Sequence, residues 1–198
     1  MHFNIKEIPS TIVKQMQHKK VWQSDCPISI EQLRLVEISH FNFEGNIQSG
    51  EIIVLDKLAQ SVLKIFEELM MIKFPIHSVY LIDKYEGDDE KSMAANNSSS
   101  FNFRMIVGST KVSMHAYGLA IDINPVQNPY LEIKDDGSVQ VHPKSGVDFL
   151  NRSNIRPGMV EPIVPIFKKY GCEWGGNWNK PIDYHHFQVP RSQVNELI

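Results

Sequence analysis

Long apolar runs are missing from this 198-residue chain. Nowhere do the roughly 18 consecutive apolar residues of a membrane helix occur, and the N-terminal stretch Met1-His2-Phe3-Asn4-Ile5-Lys6-Glu7-Ile8-Pro9 has no uninterrupted apolar centre. No membrane span or signal peptide is visible, so the chain is expected to begin after a removed leader, or to leave the cell by lysis or a dedicated secretion route. Cysteine is scarce too. Cys26 and Cys172 fit neither a metal knuckle nor a disulfide-rich scaffold, and buried free thiols are the expectation. Positive charge is not in excess: 20 Lys and Arg against 23 Asp and Glu leave a formal net charge of −3. Without a basic field to hold polyphosphate, a nucleic-acid partner is disfavoured. No internal repeat or low-complexity tract appears.

What is present is ordinary for one globular domain: 42% apolar and 22% charged residues, enough for a sizeable core. Thr11 to Lys20 is compatible with a thin amphipathic helix, with Ser10 as candidate N-cap. Trp22 to Gly50 reads as loops and short strands framing one rim of a cleft. Glu51 to Lys73 is the clearest helix, since Leu58, Val62, Ile65, Phe66, Leu69 and Met70 recur at spacings of three and four. Pro75 ends it, and His77 to Asp83 reads as a strand.

Residues 84–100 are polar and rich in Ser and Asn, which suggests a long surface loop. Phe101 to Val107 then alternates as a strand would. Pro125, Asn128 and Pro129 turn the chain, and Asp135-Asp136-Gly137-Ser138 reads as the turn of a hairpin insertion. Ile163 to Tyr170 is a second apolar-periodic helix with Gly171 at its C′ position. Asp183 to Val189 reads as the last strand.

Two stretches carry chemistry. Ser113-Met114-His115-Ala116-Tyr117-Gly118-Leu119-Ala120-Ile121-Asp122 places an imidazole and a carboxylate seven positions apart. Gly118 permits a tight bend after His115, and the alternation of Leu119, Ile121 and Ile123 sends Asp122 to the other face, so His115 and Asp122 are able to converge. Asp183-Tyr184-His185-His186-Phe187-Gln188-Val189 adds an acid and two adjacent histidines. Two His and one Asp make a three-ligand metal site of the catalytic type, with a fourth position left for water. Adjacent residues of a strand face opposite ways, so only one of His185 and His186 is able to ligate. Strict alternation puts Asp183 on the side of His185 and favours that residue.

SMHAYGLAID matches an S-x-H-x-x-G-x-A-x-D motif and DYHHF a D-x-x-H-F motif, and in this order they resemble the LAS-type zinc metallopeptidases. That bacterial and phage group comprises D-alanyl-D-alanine carboxypeptidases and dipeptidases together with L-alanyl-D-glutamate endopeptidases. The resemblance implies an α+β fold, a small mainly antiparallel sheet carrying the zinc ligands with helices packed on one side. It begins near residue 22, leaving 1–21 as an N-terminal extension or arm and 22–198 as a single zinc peptidase domain.

By the same resemblance His115, Asp122 and His186 hold one Zn2+ per chain, with His186 rather than His185 as ligand because it precedes Phe187. Asp183 becomes the general base, and Arg104 steadies the carbonyl oxygen or a substrate carboxylate. The N-N-x-S-x-F-N-x-R segment lies beside the metal, which offers Asn97 and Ser99 to substrate. Ser113, Tyr117, Trp174 and Trp178 are further candidates for substrate binding. His142 receives no metal role. Gln188 stands where many relatives have Glu, a change expected to leave the metal untouched.

The implied reaction is hydrolysis of an amide bond in peptidoglycan stem peptides, in the cell envelope or outside the cell, by a water activated at the zinc. Internal L-Ala-D-Glu cleavage is slightly favoured, and D-alanyl-D-alanine carboxypeptidase activity is the alternative. A non-catalytic peptidoglycan-binding or interaction module on the same fold is the reading from another class, against which Asp183 argues. A two-His-one-carboxylate iron oxygenase shares the ligand set but not its usual H-x-D/E spacing.

Overall fold

The computed structural model describes residues 1–106 and 109–198. The chain begins with strand β1 (Asn4–Lys6) and helix α1 (Ser10–His18), whose first turn follows Pro9. Next come the long strands β2 (Leu33–Phe41) and β3 (Ile47–Leu55), and then helix α2 (Asp56–Met71). Strands β1, β2 and β3 form one antiparallel sheet in that order, and β2 and β3 stay in register from Leu33↔Leu55 to Phe41↔Ile47.

Two expectations change here. Trp22 to Gly50 holds most of a long hairpin rather than loops and short strands, because the apolar run Leu33 to Phe41 finds a partner strand beginning at Ile47. Glu51 to Leu55 is the end of β3 and not the start of the helix; Glu-Ile-Ile-Val-Leu is β-branched enough to extend, and the helical stripe begins at Leu58. From there Leu58, Val62, Ile65, Phe66 and Leu69 are buried against β2, each worth about 1.5–3 kcal/mol relative to exposure.

Residues 1–21 contribute to the first sheet and to the core. β1 completes the first sheet, and Met16 and Val21 lie in the same core as α2. The reason is local: Ile5 of β1 pairs with Val36, and Met16 is the buried residue of an otherwise thin helix face.

The middle of the chain is irregular. After α2 the segment expected as a strand contributes only β4 (Ser78–Val79), which pairs in parallel with β5 (Asn97–Ser98). Helix α3 (Asp89–Ala94) lies between them, capped by Asp88, whose side chain accepts from Lys91 N. Among the described residues Phe101 to Ile106 forms no strand, although Met105 bridges to Val112, and Val107 lies outside them.

Strand β6 (Ala120–Asp122) follows a short 3-10 helix at Met114–Tyr117. β7 (Tyr130–Ile133) and β8 (Val139–His142) make the expected hairpin around Asp135 to Ser138. Helix α4 (Val164–Lys169) ends before Gly171, and β9 (Glu173–Trp174) follows. The last stretch splits into β10 (Ile182–Asp183) and β11 (His186–Gln188).

β10 joins β7 and β8 in one three-stranded antiparallel sheet, and β11 sits between β6 and β9 in another. The α+β architecture of small, mainly antiparallel sheets is therefore the fold. One core runs under these sheets, and Phe167 of α4 stacks on Phe187 of β11 with ring centroids 3.8 Å apart. That contact fixes the inner face of β11. Its other face carries His186 and Gln188.

Candidate metal centre

His115 is held by a turn whose two ends are determined by sequence. The Ser113 hydroxyl caps the 3-10 helix by accepting from His115 N, and Gly118 closes it in the left-handed region at φ 65°. Gly118 lies directly against β3: Leu55 N–H donates to its carbonyl at 3.0 Å, and a Cβ there would stand 2.5 Å from that nitrogen. Anchored in this way, the turn delivers His115 on one side and β6 on the other. Asp122 at the end of β6 is directly opposite His186 in β11, so both side chains share one face.

The three side chains meet. His115 Nε2 is 3.1 Å from Asp122 Oδ2 and 3.2 Å from His186 Nδ1, while His186 Nδ1 is 3.0 Å from Asp122 Oδ1. One donor atom from each falls within 4.8 Å of the others, and all three residues are buried. Their outward nitrogens are occupied. His115 Nδ1–H donates to the Ser100 carbonyl at 2.6 Å, and His186 Nε2–H donates to Gln188 Oε1 at 2.9 Å. Two imidazole lone pairs and a carboxylate turned to one point, with their far sides fixed, are the donor set that zinc takes.

The electrostatics agree with a cation-seeking cluster. Although burial opposes its charge, His115 and His185 hold the Asp122 carboxyl well below the usual carboxylate range. Burial would lower His186, but the hydrogen bond and the charge of Asp122 outweigh it and raise the imidazole to about 9.

His185 faces the same acids from the side. Its Nδ1–H donates to the Asn128 carbonyl at 2.8 Å, and its Nε2 lies 3.1 Å from Asp183 Oδ1 and 3.9 Å from Asp122 Oδ2. The bend at Tyr184 and His185 separates β10 from β11 and breaks the alternation that favoured His185 as ligand. Asp183 and His186 therefore reach one site from two different sheets.

Asp183 is 8% exposed, and its Oδ1 has no aligned hydrogen bond even though His185 is close. Burial pushes its carboxyl up, against the pull of His185 and His186. Such a carboxylate is a poised proton acceptor. Opposite Asp183 on β7 sits Tyr130, whose phenol is raised by burial and then by the Asp183 charge, with Arg104 acting the other way. Arg104 itself pairs with Asp89 of α3 at 2.8 Å, and its Nε has no partner.

Several expected substrate contacts are placed elsewhere. Asn97 is fully buried and saturated: its Oδ1 accepts from Tyr80 N and Ser78 Oγ, and its Nδ2 donates to Tyr80 O and Ser92 Oγ. Nothing is left over for a ligand. Ser99 is buried too, its backbone bridging to Asp122 on the edge of β6 away from β11. The polar segment 96–100 is thus an inner support of the site and not a substrate-facing loop. Ser113 acts as a helix cap, and Tyr117 packs on the core. Trp178 lies over His186 with ring centroids 5.3 Å apart, and Trp174 Nε1–H donates to Tyr184 O. Of the two only Trp178 stands against a member of the centre; Trp174 pairs with Phe187 and packs on the core.

Ser100, Glu173 and Tyr130 escaped the sequence reading, and Gln188 was given no part in the site. Gln188 had a signal, because it stands two residues from His186 on a strand and so shares its face. Gln188 bonds the outward nitrogen of His186 and is not among the three residues whose donor atoms converge.

Residues 107–189 match the family model described as D-alanyl-D-alanine carboxypeptidase. No curated protein and no solved structure matches the chain. No helix among the described residues is long and apolar enough to cross a membrane.

Proposed function

With residues 107–189 a stretch of the D-alanyl-D-alanine carboxypeptidase family, we propose that this protein is a zinc-dependent peptidase that hydrolyses an amide bond in peptidoglycan stem peptides. The observation that carries the reading is the convergence of His115, Asp122 and His186 within 4.8 Å, with the buried Asp183 carboxylate reaching the same cluster through His185. His115, Asp122 and His186 would hold the ion. Zinc supplies Lewis-acid polarisation of a carbonyl and lowers the pKa of water to near 7.

The chain's own groups do the rest. Asp183, raised by burial, takes the proton of the attacking water at Oδ1 and returns it to the leaving amine. Arg104, held by Asp89, offers its remaining donors to the carbonyl oxygen or to a terminal carboxylate of the stem peptide. Trp178, lying over His186, walls the cleft and keeps bulk water from the reacting groups. Action on such a substrate belongs in the cell envelope or outside the cell.

The matched description favours release of a terminal D-Ala; the motifs are shared with internal L-Ala-D-Glu cleavage, which is the second reading. Digestion of a disaccharide-pentapeptide with the zinc-loaded protein, followed by mass analysis, separates them. Loss of one alanine supports the carboxypeptidase, and release of the peptide beyond L-Ala supports the endopeptidase. If every muropeptide stays intact, the peptidoglycan assignment fails and a binding module on this fold moves ahead.

A further inference from the structure

We propose that Gln188 and Glu173 are positioning residues that select the tautomer of His186 and thereby aim its Nδ1 lone pair at the metal point. The inference rests on the zinc reading above and concerns two residues, inside the matched stretch, to which the match gives no role. It starts from a counting problem. A neutral imidazole carries one proton on one of two nitrogens, and only the bare nitrogen ligates.

For His115 the choice is forced by a backbone carbonyl: Ser100 O only accepts, so Nδ1 keeps the proton and Nε2 faces the centre. For His186 the roles of the nitrogens are reversed. Nδ1 faces Asp122 Oδ1 and His115 Nε2, so a zinc held between these three atoms takes the Nδ1 lone pair and leaves the proton to Nε2. Its partner, however, is the side-chain amide of Gln188, 2.9 Å away. An amide does not by itself decide anything, since turned over it would present NH2 and demand the opposite tautomer.

Glu173 removes the ambiguity. Its Oε1 lies 2.6 Å from Gln188 Nε2, and a carboxylate only accepts, so the NH2 has to point there and Oε1 has to point to His186. The sheet makes this alignment. Gln188 pairs with Glu173 across β11 and β9, His186 is two residues before Gln188, and Asp122 pairs with His186 across β11 and β6. Carboxylate, amide, imidazole and the second carboxylate therefore line one face, with the imidazole N–H donating to the amide oxygen and the amide NH2 to the Glu173 carboxylate. Gln188 is 7% exposed, so water is not there to substitute for either partner.

A purely structural role would need only the packing of two side chains at a sheet edge. The relay needs their hydrogen-bond polarity, and substitutions separate the two. Glu173→Gln keeps the shape but allows the amide of Gln188 to turn over. Gln188→Leu removes the partner of Nε2 altogether. The double swap Glu173→Gln with Gln188→Glu reverses the charges yet restores every role, because the introduced carboxylate at position 188 accepts from His186 while the amide at 173 donates to it.

Zinc affinity by chelator competition, and the visible spectrum of the cobalt-substituted protein, read the outcome independently of turnover. Both single variants should lose affinity, Gln188→Leu within the usual 10–100-fold for an outer partner of a ligand histidine and Glu173→Gln near the lower end of that range. Both should alter the cobalt bands, and the double swap should recover both readouts. Wild-type affinity and spectrum in Glu173→Gln, or a loss that the double swap does not recover, overturns the relay, whether or not Gln188→Leu folds. Failure of the wild-type protein to take up zinc at all overturns the metal reading, and the relay with it.

Discussion

Replacing Gly118 by Ala tests the contact on which the geometry of the centre depends. Two separate costs are expected. At φ 65° an L-residue pays about 1–2 kcal/mol for the left-handed conformation. Its Cβ would also stand 2.5 Å from Leu55 N, 3.0 Å from the Val54 carbonyl carbon and 3.2 Å from Leu33 Cδ2. These are backbone and core atoms of the long hairpin, and β3 cannot retreat because β2 is paired with it along its whole length. Overpacking of this kind costs about 1–3 kcal/mol, so the total is about 2–5 kcal/mol out of the 5–15 kcal/mol typical of a whole domain.

Gly137 is the control. It sits at φ 82° with nothing within 4 Å of a built Cβ, so Gly137→Ala meets only the conformational cost, about 1–2 kcal/mol. The small gain from a stiffer unfolded chain is common to both variants and drops out of their difference. Urea unfolding with a common slope should therefore place Gly118→Ala about 1–3 kcal/mol below Gly137→Ala. Only the former should also weaken zinc binding, since Gly118 lies between His115 and Asp122. Equal losses in the two variants, with zinc binding unchanged, would show that β3 yields freely and that the turn is not pinned to it.

Further outcomes follow from other parts of the molecule. Asp183→Asn keeps the side chain's shape but not its proton affinity, so it should retain zinc and lose turnover by about 10²–10⁴-fold; near-normal turnover with zinc bound removes Asp183 from the mechanism. Phe167→Ala should cost about 3–5 kcal/mol in urea unfolding, because a fully buried ring stacked on Phe187 is deleted; a loss under about 1.5 kcal/mol would mean that the site collapses around the gap. Glu37 is lowered from 4.5 to about 2, first by Lys6 and then by Asn4, both of β1, and by His2 just before it. Because the folded-state value is depressed, the stabilisation is present above about pH 4.5 and is lost as pH falls towards about 2, where folded and unfolded carboxyls are both protonated. As the pair lies near the surface, Glu37→Gln should cost only about 0.2–1 kcal/mol at pH 7. A difference from wild type that persists unchanged at pH 2 contradicts the pairing.

Some of this protein is written in short-range pattern. The stripe from Leu58 to Met70 allows no arrangement but a helix with one buried face, and the turn residues Asp135 to Ser138 close a hairpin on local grounds. His115, Gly118 and Asp122 lie within eight residues, so the bend and the alternation that bring two ligands together are legible before any fold is known. Other features depended on partners remote in the chain. Glu51 to Leu55 suits helix or strand equally by composition, and β2 decided it. Asn97 and Ser100 look like exposed loop residues until Tyr80, Ser78, Ser92 and Ala120 are seen to satisfy them. The choice between His185 and His186 turned on a two-residue break that places Asp183 in a different sheet, and the Glu173 carboxylate reaches His186 only because β9 pairs with β11. A residue's period and polarity report which face it occupies. Which distant backbone or side-chain group will meet its hydrogen bonds is settled only when the sheets close.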